Sequence, residues 1–442
     1  MTNINTSSLD FQKEIEKKLF ERQFSTKHNF EIMKTLNNNK GEITNVKMDI
    51  NDHERGMPMR SDIEFFKKKN TLSERNDFDL FDNEQPLNIN FNYNDDFNMP
   101  VSNINENNIS NLNNNETVKI IMNEFSCEFY KYINEYIDSN FVVSPLTIFL
   151  FFSFIYYCAK NDTENILKNL FMFPNKNILI MELNDILNNI NINLVNVILI
   201  NKKININPKL FEQFTKSYRF GQIGDNKKKL IAWIKKNVNI NIPDSIIKNA
   251  LMSNIGYVNL NCNIIGNFKS IGKKIFYSKK NYKIDMMKGE NIICMLYNDN
   301  SATLIEFITD SDLIIGIILP SYSKKFELSY KKLNFMVGNS KPTIVKTLYI
   351  PKINMHQKIK LDSLIKGLKL IGLYENMDLL ELTNNKIKLT GIIHDISVNI
   401  NFKKKNQKKI NGVKIDKINI DHNFMYYVKD KINNLILVVG QI

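Results

Sequence analysis

Cysteine is scarce in this 442-residue chain: Cys127, Cys158, Cys262 and Cys294 lie far apart, and none belongs to a Cys-x-x-Cys pair. The five histidines do not gather beside them. That spacing excludes the usual zinc frameworks, and neither a metal ion nor another cofactor is expected. It also suits free thiols in a reducing compartment. The opening residues, Met-Thr-Asn-Ile-Asn-Thr-Ser-Ser, lack a basic stretch followed by an apolar core, so no secretory leader is read. An intracellular or virion-associated location is therefore expected ahead of secretion. Catalytic signatures are missing as well: there is no Gly-x-Ser-x-Gly elbow, no His-Glu-x-x-His and no Gly-x-Gly-x-x-Gly. The nearest approach to a phosphate loop, Gly266-Asn267-Phe268-Lys269-Ser270-Ile271-Gly272-Lys273-Lys274, has one residue too many between its glycines. Lys274 stands where a Ser or Thr should bind the metal. The stretch is read as an ordinary loop, and the chain is not expected to be an enzyme.

What is present is apolar residue, 43% of the chain, enough for a sizeable core. Asn, Ile and Lys are abundant, as AT-rich codons produce. Charge is split unevenly. Residues 1–117 carry 14 Lys and Arg against 20 Asp and Glu, a net of −6, which leaves 45 against 26 for residues 118–442, a net of +19. A domain so basic could take polyanions, although its lysines are dispersed in the manner of a solvated surface. Residues 1–115 are low in complexity and rich in Asn, as at Asn37-Asn38-Asn39 and between Asn103 and Asn115. Such a tract cannot bury enough apolar surface to offset chain entropy, and it is read as a mostly disordered extension.

From about residue 116 the pattern becomes that of a folded domain. Ile120, Ile121, Phe125, Phe129 and Ile133 recur at helical spacing. Phe141 to Ala159 is apolar enough to suggest a membrane span. Ser144-Pro145 near its start reads instead as an N-cap followed by Pro at the first helical position of a buried helix. Helices are also expected at 162–171, 184–190, 208–218, 228–238 and 361–371, the last ending at Gly372 as a C-cap. Strands are expected at 195–200, 256–260, 282–287, 292–297, 302–307, 313–319, 343–350, 392–402, 422–428 and 435–442. Helices first and strands later, without strict alternation, predict an α+β fold.

Several short motifs resemble the serpin family in order and spacing. Asn140-Phe141-Val142-Val143-Ser144-Pro145-Leu146-Thr147-Ile148 is similar to the family's N-x-F-x-S-P-x-S-I. Ile231-Ala232-Trp233-Ile234, Asp285-Met286-Met287, Ile315-Gly316-Ile317-Ile318-Leu319-Pro320 and Leu348-Tyr349-Ile350-Pro351-Lys352-Ile353 resemble I-N-x-W-V, P-M-M, I-I-L-P and L-x-x-P-K-F. Asp421-His422-Asn423-Phe424 resembles D-H-P-F, with Asn423 in place of Pro. The resemblance covers residues 116–442 and excludes the membrane span. It implies three β-sheets, about eight or nine helices and an exposed reactive loop before Asp421. It also implies inhibition of serine proteases by a bait that is cut and then inserts into the large sheet.

The same resemblance assigns the loop's residues. Its hinge falls on Phe402, Lys403, Lys404, Lys405 and Asn406, and the scissile bond near Lys409, Gly412 or Lys414. Those lysines suit a trypsin-like serine protease. The family's hinge is Gly- and Ala-rich, whereas this one has neither, and the loop is several residues shorter. On insertion every second residue faces the core. One parity buries Lys403, Lys405 and Lys409, the other Lys404 and Lys408. Each unpaired ammonium costs at least several kcal/mol, large against a net stability of about 5–15 kcal/mol. Cys262 stands where the family carries a Trp at the insertion gate. The alternative expectation is a non-inhibitory scaffold that acts as a binding or structural protein.

Overall fold

The computed structural model describes residues 117–442, apart from 137–138, 215–216, 225, 239, 241–245, 249, 323–325, 366–369, 371, 406 and 408–409. The extension read at 1–115 lies outside the described residues. Within them the chain forms eight α-helices, one 3-10 helix and fourteen strands.

The apolar segment that suggested a membrane span is core. Strand β1 (Phe141–Val143) leads into helix α2 (Pro145–Cys158), and thirteen of the helix's fourteen residues are buried. Ser144 caps it as expected, accepting from the Thr147 amide, with Pro145 in the first turn. Being apolar all round, α2 must be enclosed on every side. Helix α1 (Thr117–Tyr136) lies against it through Phe125 and Phe149, and α3 (Asn161–Phe171) and α4 (Lys176–Asn189) complete the cover. No helix among the described residues is long and apolar enough to cross a membrane.

Two β-assemblies flank this core. A five-stranded sheet runs β10 (Ile353–Lys360), β11 (Leu389–Lys403), β4 (Met252–Ile265), β2 (Asn193–Asn201), β3 (Tyr218–Ile223). Its central neighbours β11 and β4 are parallel and paired from Leu389–Met252 to Lys403–Ile265. The second assembly runs β1, β14 (Leu435–Gln441), β13 (Met425–Asp430), β8 (Leu313–Pro320), β7 (Ala302–Ile308), β6 (Tyr282–Asn298), β9 (Lys341–Pro351), β12 (Val413–Asn419). β5 (Asn267–Phe276) pairs with the other edge of β6. The second and third of the three expected sheets are thus joined through β6, which pairs with β9 from Met286 to Leu296 and with β5 at its start and β7 at its end.

Four local expectations are corrected. Gly266–Lys274 is not a loop: Asn267–Phe276 is strand β5, with a bulge at Gly272 (φ 69°) where the register with β6 shifts. Every β5 residue except Phe276 is partly or fully exposed, so no apolar alternation marked it. The expected helix at 208–218 is a 3-10 turn, Pro208–Gln213, followed by strand β3 from Tyr218. The two strands expected at 282–287 and 292–297 are one. Gly372 opens helix α8 (Gly372–Glu375) instead of closing the helix before it, α7 (Asp362–Ile365). The remaining helices, α5 (Lys227–Val238) and α6 (Tyr330–Gly338), lie outside the sheets.

Candidate functional site: the loop between β11 and β12

β11 ends at Lys403 and β12 begins at Val413, so the candidate loop is nine residues, 404–412. Phe402 is paired with Ile264 and packs its ring on Phe268 at 4.8 Å. Lys403 is still in the strand. Its carbonyl accepts from the Gly266 amide at 3.1 Å, and its ammonium meets Asp310 Oδ2 at 3.0 Å. Asp310 also takes the Asn263 amide at 3.0 and 3.2 Å and donates its own N–H to the Asn263 carbonyl. Asn263 is on β4, Lys403 on β11, and Asp310 in the turn between β7 and β8, so one carboxylate clasps the upper end of the central seam. Burial works against that carboxylate's charge, but hydrogen bonds from Lys403 and Asn263 outweigh it and hold Asp310 below its usual range.

Lys404 and Lys405 are exposed. Asn406, Lys408 and Lys409 lie outside the described residues. Gln407 is tied down: its Oε1 accepts from the Ile293 amide at 2.8 Å and its Nε2 donates to the Ile293 carbonyl at 3.1 Å. The side-chain amide thus stands in for a peptide unit on β6. Gly412 sits so close to Pro342 that a Cβ would lie 2.6 Å from the Pro342 carbonyl oxygen. Lys414 is exposed but already part of β12, paired with Ile344. The two described scissile candidates therefore rest on the body of the protein.

Lower on β11 a different contact ties the strand to the start of α2. His394, in register with Gly256 of β4, is buried. Its Nε2 accepts from the Ser144 amide at 2.9 Å, so its proton is on Nδ1, which faces Thr147 Oγ1 at 3.1 Å. Thr147 Oγ1 in turn donates to the Ser144 carbonyl at 3.0 Å, and Ser144 Oγ donates to the Leu437 carbonyl at 2.7 Å. Burial pushes the His394 pKa down to about 3, so the ring is neutral. Cys262, at the gate position, is buried opposite Ile400, and burial, with Asp310 adding, pushes its thiol up to about 12. Neither state favours nucleophilic chemistry. Among the described residues no group of three or more His, Cys, Asp or Glu is placed to hold a metal ion.

Sequence reasoning named Phe402 and Lys403 for the hinge, but missed Asn263, Asp310, Ile293 and Gln407. Their partners lie 47 to 114 residues away in the chain, and a single sequence carries no sign of such contacts.

The loop joins the large sheet to an edge strand, and behind it stand a closed parallel seam and a buried central helix, the arrangement the motifs implied. The serpin family, serine protease inhibitors, matches residues 121–442, and the chain belongs to it. An uncharacterized serpin-like protein of Methanosarcina mazei is 22% identical over 72% of this chain and 85% of its own length. Among solved structures, maspin aligns with a TM-score of 0.66 at 17% identity, covering 74% of this chain and 98% of that one. Human thyroxine-binding globulin, solved in complex with its hormone, aligns at 0.63 and 16%, over 74% and 98%.

Proposed function

We propose that this serpin is a non-inhibitory scaffold, a binding or structural protein whose loop is not a spring-loaded bait. The observation that carries the reading is the loop's length against the sheet it would have to enter. Nine residues span at most about 31 Å, whereas the fifteen residues of β11 extend for about 50 Å. A strand inserted beside β11 would therefore end well short, and Lys404 and Lys405 would be in it.

Two further observations support the reading. A protease must draw several residues of extended chain into its cleft, yet Gln407 is fastened to Ile293 and Gly412 is pressed on Pro342. Insertion must also part β4 from β11, which Asp310 fastens through Asn263 and Lys403, and must move β11, which His394 fastens to the start of α2. The family-level alternative, inhibition of a trypsin-like protease at Lys409 to Lys414 with 402–406 as the hinge, predicts a different result in one experiment. The protein is incubated with trypsin and analysed on denaturing gels, and its melting temperature is measured before and after cleavage. The scaffold reading expects cleavage, if any, without a covalent complex and with little change in melting. An SDS-stable complex, or a large rise in melting temperature, would refute it.

A further inference from the structure

Ten large apolar or tyrosine side chains stand exposed among the described residues, and of these Tyr277 and Tyr322 both meet the Asp421-His422 pair, with Ile275 two residues before Tyr277. Ile275 and Tyr277 leave the end of β5 on its outward side, while Phe276 between them is buried. The Tyr277 amide donates to the Asp421 carbonyl at 2.7 Å, and Tyr277 pairs with His422 in an isolated bridge. Tyr322 arrives from the segment after β8 and is 73% exposed. It is nonetheless held in place: its ring lies 3.8 Å from the His422 ring, and its hydroxyl donates to Asp421 Oδ1 at 2.8 Å. His422 is anchored in turn through Nε2 on the Pro320 carbonyl at 2.8 Å and through Nδ1 on Asp421 Oδ1 at 3.1 Å. Among the described residues these contacts use Oδ1 of Asp421, and no partner takes Oδ2.

An exposed tyrosine ordinarily samples several rotamers, and a partner that lands on it must bear the cost of stopping them. For Tyr322 that ordering is already done. Preorganised tyrosines are the anchors of protein interfaces. The carboxylate beside them attracts a cation, and the ring faces add to that attraction. In a domain carrying a net +19, an acidic partner would find lysines on many faces. A carboxylate framed by two tyrosines selects the opposite charge. Lys283, opposite Ile275 on β6, bounds the patch on its far side.

We infer that Tyr277, Tyr322 and Asp421 form a docking site for a partner protein that presents an arginine or lysine side chain from an apolar segment. The site is independent of whether the loop inserts. It is tested by titrating the full chain with N-acetyl-Leu-Arg-Leu-amide and with its uncharged citrulline counterpart, read by calorimetry. The arginine peptide binds about tenfold more tightly than the citrulline peptide. Asp421→Asn removes that difference, and Tyr322→Ala weakens both peptides. Tyr277→Ala keeps the contacts among Tyr322, His422 and Asp421, and lowers the arginine affinity even if Asp421→Asn unfolds. Equal binding of the two peptides, or an arginine preference that survives Asp421→Asn or, should that variant unfold, Tyr277→Ala, overturns the inference. So does a concentration-dependent dimer abolished by Tyr322→Ala, which would assign the patch to a second copy of the chain.

Discussion

Two levels of β11 are fastened by opposite chemistry, the lower to the start of α2 and the upper to β4. At the lower end a neutral, fully enclosed imidazole shares hydrogen bonds with Ser144 and Thr147. At the upper end an ammonium 58% exposed meets a carboxylate in the clasp with Asn263. Removing a partner from the lower site strands buried polar groups, and each orphan costs its full desolvation. Removing a partner from the upper site lets water take its place, and such pairs contribute about 0–1 kcal/mol. β11 is therefore welded to the start of α2 below and latched to β4 above, and its separation from β4 would begin at the latch.

His394→Ala gives the largest effect, a loss of about 2–4 kcal/mol in urea unfolding, because the Ser144 amide and Thr147 hydroxyl both lose a partner inside the core. The wild type also responds to acid through this ring. The unfolded chain binds a proton at His394 near pH 6.5, while the folded one resists until about 3. The unfolded state holds more protons in that window, so stability falls as pH drops, by about 1.4 kcal/mol per pH unit from this group. His394→Ala flattens that slope. A slope unchanged by the substitution would show that the ring is not the buried neutral group described.

Gln407→Ala has a smaller effect on stability, about 1 kcal/mol. Its clearer readout is proteolysis: freed from Ile293, the loop is cut by trypsin several times faster than in the wild type. An unchanged rate would mean that the tie to β6 does not restrain it. Lys403→Met is the mildest change, within about 1 kcal/mol, and is recognised by salt. The difference between wild type and variant shrinks as ionic strength rises, whereas the His394→Ala difference does not. Equal salt sensitivity of the two variants would erase the contrast between latch and weld.

The sequence disclosed those parts of the fold whose signal is local. The Ser144-Pro145 cap, the apolar run through Cys158 and the Asp421-His422 pair can each be read within a few residues. β5 escaped because an edge strand with Lys269, Lys273 and Lys274 along it shows neither alternation nor an apolar run. Gly372 was read as a helix end because glycine is a common C-cap, yet it is itself the first residue of α8. At the site, the lysines and the missing Gly and Ala of the hinge were legible, and so was the loop's shortness. The fastenings were not: Asp310 and Gln407 are ordinary polar residues until the fold brings β4, β6 and β11 to them.

The tie between Gln407 and Ile293 also closes a gap in the edge of β6. Pairing of β5 to β6 stops at Glu290, and pairing of β7 to β6 starts at Met295. Between them β6 has a short open flank whose amide and carbonyl could accept a strand from another molecule. A glutamine side chain fills that flank without offering a further edge of its own. The loop thus covers, at Ile293, backbone groups that neither β5 nor β7 reaches.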